Sequence, residues 1–241
     1  MQQITVGGVR VAIVRKPIKN LHLGVYPPRG RVRVAAPLSV SNEAVRLAVI
    51  GKLAWIKRQR TQFASQPRQS RREMVNGESH YFQGRRYRLR VVEQREKRGF
   101  GRIFLRNLSL MELHVQPGTN ADERERIMQR WYRARLRESI PALLATWEAT
   151  LGVRVTAWGI KKMKTKWGAC NPEAGRIWLN LELAKKAPRC LEYVVVHELV
   201  HLLVRHHDDQ FSALMDRHLP TWRARRQELN SAPLVQETWT H

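Results

Sequence analysis

Tyr193-Val194-Val195-Val196-His197-Glu198-Leu199-Val200-His201 is the stretch on which the reading of this chain turns. Apolar residues surround the two histidines and continue through Leu202, Leu203 and Val204, so the pattern predicts a buried helix, ending near Arg205. On a helix, positions four apart share one face. His197 and His201 can therefore converge on one metal ion while Glu198 faces its open side, the logic of an H-E-x-x-H helix. Buried without partners, each of these polar groups costs roughly 2–7 kcal/mol; a bound metal removes that cost.

A catalytic zinc takes three protein ligands and keeps a fourth position open. Beyond His201 lie His206 and His207, followed by Asp208 and Asp209. His207, ten residues after His197, leaves room for the helix to end and the chain to turn back, so His197, His201 and His207 are the expected ligands. His206 competes for the third place. Metzincins share the ten-residue spacing but carry a turning glycine midway, where this chain has Val204. Asp208 and Asp209 can orient a ligand imidazole, although capping of a helix from Asp209 to His218 is the preferred reading.

Thr165-Lys166-Trp167-Gly168-Ala169-Cys170, then Arg176-Ile177-Trp178-Leu179-Asn180-Leu181-Glu182-Leu183, Pro188, and Glu192 through His201 with His207 and Phe211 together resemble the YgjP-like metallopeptidase family, itself related to the SprT-like and WLM zinc proteases. The likeness covers most of residues 125–220. The chain departs from the usual family pattern at Ala169, where a serine is common, and at Asp208, where a small hydroxyl residue is usual. The resemblance implies a zincin-like peptidase core and carries the ligand roles onto His197, His201 and His207 and the catalytic role onto Glu198.

Charge is the second strong signal. The 241 residues hold 44 Lys and Arg against 20 Asp and Glu, a formal net charge of +24. Residues 1–120 have 24 basic and 6 acidic side chains, and the remainder 20 and 14, so the excess lies in the N-terminal half. Lys57-Arg58-Gln59-Arg60, Arg68, Arg71-Arg72, Arg85, Arg86, Arg88, Arg90 and Arg95 through Arg98 form a dense tract interleaved with Phe63, Tyr81, Phe82 and Tyr87. Such a field attracts polyanions, and nearby aromatics suit single strands whose bases stack. Arg85, Arg86, Arg88 and Arg90 are the residues expected to bind nucleic acid, against the plainer alternative of a solvated basic surface. No apolar run reaches the ~20 residues of a membrane span, and Met1–Val14 lacks a signal-peptide core. Two cysteines, Cys170 and Cys190, form no disulfide framework and suit a reducing cytoplasm.

The expected class is α+β: a β-rich basic lobe over residues 1–118, then a zincin-like metal-hydrolase domain over 119–241. Strands are expected at Ile4–Val14, Leu21–Tyr26 and Arg31–Ala35, with a turn at Pro27–Gly30. A helix capped by Ser41 or Asn42 then runs to about Phe63, and Ala64–Asn76 reads as a linker. Tyr81–Val92 reads as a hairpin broken at Gln83-Gly84, followed by strands at Ile103–Leu105 and Leu108–Val115. Asn120 and Glu123 form a capping-box pattern for a helix to about Thr150 that Pro141 should kink or split. Strands at Val153–Ile160 and Arg176–Leu181 and a helix begun by Pro188 complete the chain. Internal repeats are absent from the sequence.

The function expected is zinc-dependent hydrolysis of a peptide bond, with Glu198 accepting a proton from water and returning it to the leaving amine. Lys166, Asn180 and His206 are the residues considered for stabilising the oxyanion. Two rivals stand beside it. A metal-dependent hydrolase of nucleotide phosphoanhydrides would use the basic surface, but no phosphate-cradling glycine loop is evident. A nucleic-acid-binding module with structural zinc leaves Glu198 without a use. A combined reading, a DNA-associated protease of SprT-like type as the resemblance suggests, would use the basic lobe to bring the protease to proteins on DNA.

Overall fold

The computed structural model describes residues 2–26, 30–65, 72–95, 101–163 and 166–231. Among the described residues, six helices and three sheets make a mixed α+β protein, divided into compact units over residues 1–70 and 71–235.

In the first unit, β1 (Gln2–Val6), β2 (Val9–Lys16), β3 (His22–Tyr26) and β4 (Arg31–Pro37) form a sheet of order β1-β2-β4-β3. Its central pair is parallel and both outer pairs are antiparallel. The single strand expected over Ile4–Val14 is a hairpin, because Gly7 and Gly8 both take positive φ and turn the chain in two residues. Helices α1 (Asn42–Gly51), capped by the Ser41 hydroxyl, and α2 (Leu53–Ser65) replace the one helix expected there. Val11, Ile13, Val32 and Val34 pack with Val45, Val49 and Ile56 in a core belonging to this unit. The expected turn at residues 27–30 and linker at 64–76 fall largely on 27–29 and 66–71, outside the described residues, as do Arg68, Arg71 and residues 96–98 of the basic tract.

The second unit begins with the same device. β5 (Ser79–Phe82), β6 (Arg85–Glu93), β7 (Arg102–Arg106) and β8 (Leu110–Val115) form a sheet of order β5-β6-β8-β7, again with a parallel central pair and antiparallel outer pairs. Gln83 and Gly84 at positive φ reproduce the two-residue turn. A repeat thus exists in topology where none is visible in sequence: four strands in one order, followed by a helix.

That helix is α3 (Ala121–Leu151), opened by the expected capping box: Asn120 Oδ1 accepts from the Glu123 amide at 2.9 Å, and the Glu123 carboxylate accepts from the Asn120 amide at 3.4 Å. Pro141 lies inside without dividing it, and Gly152 ends it in the left-handed conformation. Tyr87, Leu89, Met111 and Leu113 of the sheet share one apolar core with Tyr132, Leu136 and Ile140 of α3. This is why the division between units falls at residue 70 and not at the expected 118: the second sheet and α3 bury each other.

The site rests on a third sheet, order β10-β11-β9, built from β9 (Ala157–Lys161), β10 (Gly168–Asn171) and β11 (Arg176–Asn180). Residues Val153–Val155, expected in a strand, instead wrap the end of α3, where Glu148 accepts from the Val153 and Val155 amides. A 3-10 helix (Leu181–Lys185) leads to α4 (Pro188–Val200), with Pro188 in its first turn. Glu192 joins three helices: its carboxylate accepts from Trp147 Nε1 of α3 at 3.2 Å and pairs with Arg225 of α6 (Trp222–Ser231). Between α4 and α6 lies α5 (Asp209–His218). No described helix is long and apolar enough to cross a membrane.

Candidate metal centre

Val194, Val195, Val196, Leu199 and Val200 are buried, so α4 runs through the core and carries His197 and Glu198 with it. The helix ends earlier than expected, at Val200, with His201 as its C-cap and a turn through Leu203. The chain then doubles back and presents His207. Three Nε2 atoms meet: His207 lies 3.0 Å from His197 and 3.1 Å from His201. His206, the competing third ligand, is exposed and outside this cluster.

The protonation of these rings argues for a cation between them. His201 Nδ1 lies 3.0 Å from the Val204 carbonyl, which requires the proton on Nδ1 and leaves a lone pair on Nε2. His207 Nε2 carries at most one proton yet faces two neighbouring nitrogens, so the three rings cannot all be satisfied by hydrogen bonds to one another. Burial, then the neighbouring imidazoles and Arg226, push His197 down to about 3, and burial also lowers His207. Neutral imidazole is the form that ligates metal, and the donor set fits a divalent ion. Phe211 packs its ring within 4.7–5.0 Å of all three imidazole centroids and closes the far side.

Glu198 is 5 % exposed, and burial pushes its carboxyl up to about 8, opposed by the charge of Lys166. It lines a cavity of about 870 Å³ together with the three histidines, Tyr193, Lys166, Arg226 and the β10 strand. Among the described residues β10 is an edge strand, paired only with β11. Its closeness to Glu198 depends on Gly168, where a Cβ would sit 2.4 Å from Glu198 Oε1. Cys170 also lines the cavity; burial, then the Glu198 charge, push its thiol up to about 11, so it stays protonated at neutral pH.

The other expected site residues divide. Lys166 is exposed on the cavity wall. Asn180 is buried and bound to backbone: its amide donates to the carbonyls of Met163 and Lys166 at 2.9 and 2.7 Å, and its oxygen accepts from the Met163 and Glu182 amides. It supports the segment before β10 and has no amide proton left for an oxyanion. Asp208 caps α5, accepting from the Phe211 amide at 3.0 Å. Arg86, Arg88 and Arg90 share one exposed face of β6, whereas Arg85 belongs by alternation to the opposite face. Tyr193, Gly168 and Arg226 acquire a place at the site that spacing alone did not show, because they reach the cavity beside the three histidines from separate elements.

Among solved structures, the chain is similar to the crystal structure of the metallopeptidase zymogen of Pyrococcus abyssi abylysin, at 18 % identity and a TM-score of 0.36, covering 40 % of this chain and 99 % of that one. No curated protein sequence matches. The model of the YgjP-like metallopeptidase domain matches residues 20–232, a span that holds the three converging histidines, Glu198 and the edge strand, and the chain belongs to that family.

Proposed function

We propose that this protein is a zinc peptidase with a zincin-like core, in which His197, His201 and His207 hold the metal and Glu198 is the general base. The observation that carries the reading is the meeting of three Nε2 atoms beside a buried carboxyl. Three imidazoles without a carboxylate or thiolate suit zinc among the common divalent ions. When bound, zinc supplies Lewis acidity toward a carbonyl oxygen and toward water.

Glu198, held in a low-dielectric wall with its carboxyl raised toward neutrality, accepts a proton from water and returns it to the leaving amine. The free edge of β10 offers backbone N–H and C=O groups to an extended peptide, which would add as a further strand and bring its carbonyl beside Glu198. Lys166, next to Glu198, is the group positioned to meet negative charge developing on that carbonyl.

The test is hydrolysis of casein and of nucleoside triphosphates by chelator-stripped and zinc-loaded protein side by side. Casein cleavage that needs zinc is expected. Glu198→Gln should lower it by at least roughly 100-fold with the zinc content unchanged. Triphosphate hydrolysis without casein cleavage would move the assignment to phosphoanhydride chemistry.

A second, additive reading concerns nucleic acid. Arg86, Arg88 and Arg90 lie on one exposed sheet face with Tyr81 and Phe104, and Glu112 is the acidic residue among them. This stripe suits a polyanion and a DNA-associated protease. Gel shifts whose affinity falls steeply with salt, and fail when the three arginines become glutamate, are the expected result.

A further inference from the structure

Three arginines on α6 differ in their company. Arg223 pairs with Asp216, and Arg225 with Glu192. Arg226 has no carboxylate partner among the described residues, and it lines the cavity of the metal centre. Its placement is built from both sides along one helical face. Four residues before it, Trp222 is buried with its ring stacked on Tyr193 at 6.5 Å, and Tyr193 in turn lies edge-on to His197 at 5.7 Å. Four residues after it, Asn230 accepts a hydrogen bond from Trp167 Nε1 at 3.3 Å, fastening α6 to the segment that enters β10. Leu229, three residues on, is buried beneath. The helix is thus anchored at both ends of the groove, with an unpaired guanidinium between the anchors.

The rest of the groove does not neutralise that charge. Arg205 and Glu173 on the rim face each other at 3.9 Å, and Glu198 is taken by the reaction. Resting on the peptidase reading, we infer that Arg226 selects substrates: the site favours peptides that place a carboxylate within a residue or two of the cleaved bond. A guanidinium binds a planar carboxylate with two parallel hydrogen bonds, and an extended chain on the β10 edge would run beneath α6. The carboxylate comes from an Asp or Glu side chain or from the end of the peptide; the chemistry at Arg226 is the same.

The experiment uses full-length zinc-loaded Glu198→Gln protein, so that binding is read without cleavage. Fluorescence anisotropy compares three labelled peptides of equal length: one capped at both ends with a central Asp, the same with Asn, and the Asn peptide with a free C-terminus. The Asp peptide or the free-ended peptide should bind at least about tenfold tighter than the capped Asn peptide, the scale of one charge-assisted contact. Which of them does so identifies the source of the carboxylate. Arg226→Gln should abolish the ratio, and Arg226→Lys should keep part of it, both with unchanged zinc content. Equal binding of the three peptides overturns the inference, as does a ratio that survives in Arg226→Gln, or binding of a nucleoside triphosphate with none of any peptide. Peptidase activity is judged separately on the protein with Glu198 intact, so loss of selectivity and loss of the peptidase reading give different results.

Discussion

The sheets formed by residues 2–37 and 79–115 share strand order, strand sense and a two-residue turn, Val6-Gly7-Gly8-Val9 in one and Phe82-Gln83-Gly84-Arg85 in the other. They differ in what the turn rests on. In the first, Gly7 leaves room for Leu53 of α2, whose methyl would lie 2.5 Å from an added Cβ. In the second, Gly84 lies against Ala187, immediately before α4, and the amides of Gln83 and Gly84 donate to the carbonyls of Ala184 and Lys185 at 2.9 and 3.1 Å. One frame closes on its own helices; the other grips the entrance to α4, which carries His197 and Glu198. A repeated scaffold can therefore carry function in one copy through its packing partner alone.

The largest effects should be confined to the second unit. His197→Ala or His201→Ala should take zinc from about one ion per chain to near none, while amide exchange of β1, β2 and β4 stays as in the parent. His207→Ala should weaken zinc by more than about a hundredfold and His206→Ala should spare it. Metal titration giving the reverse pattern would transfer the third ligand by one residue.

A smaller effect concerns the inward position two residues ahead of the turn-flanking residue, Ile4 in the first sheet and His80 in the second. His80 is 5 % exposed; burial, then Arg72, lower it from 6.5 to about 4, although Glu78 opposes the shift. The folded state thus resists protonation that the unfolded chain accepts. Stability is unaffected above about pH 6.5 and falls as pH drops from there toward 4, by roughly 3 kcal/mol in all. Denaturant midpoints at pH 7 and 5 should diverge less in His80→Ile than in the parent. An unchanged divergence would show that other groups set the acid sensitivity.

Smaller still, Gly84→Ala forces a side chain into positive φ and toward Ala187, with a cost of about 1–2 kcal/mol and weaker zinc binding. Gly7→Ala should cost a similar amount without touching zinc. If both substitutions changed metal affinity equally, the two turns would not differ in role, and the comparison would collapse.

The helix that carries His197 was legible because its message is local: the shared side of His197 and His201 is set by helical spacing, and the Asn120–Glu123 box and the Asp208 cap follow from side chains three residues from their targets. That His207 and not His206 joins the other two imidazoles was legible only as one of two possibilities, since a turn and not a helix determines which imidazole comes back. Hidden features are those made by distant segments. Gly168 reads as part of a short motif until Glu198 packs on it, Asn180 looks available until four backbone groups claim it, and Arg226 looks like one more basic residue of α6 until Trp222 and Asn230 orient its face. The repeated sheet is hidden for the opposite reason: alternation of inward apolar residues suffices for its topology, and many sequences satisfy it.

His207 stands one residue ahead of the Asp208 cap, so the proposed third ligand is delivered by the start of α5, whereas His197 lies within α4 and His201 caps its end. His197 and His201 are held by the buried C-terminal end of α4, whereas His207 is held by the exposed start of α5, and exposed helix ends fray. Loss of that cap, worth about 1 kcal/mol, would open the first turn of α5 and detach one imidazole while the other two kept hold. The lifetime of an ion bound there would then be governed by an end-fraying equilibrium, and Asp208→Ala should speed metal exchange far more than it lowers the melting temperature.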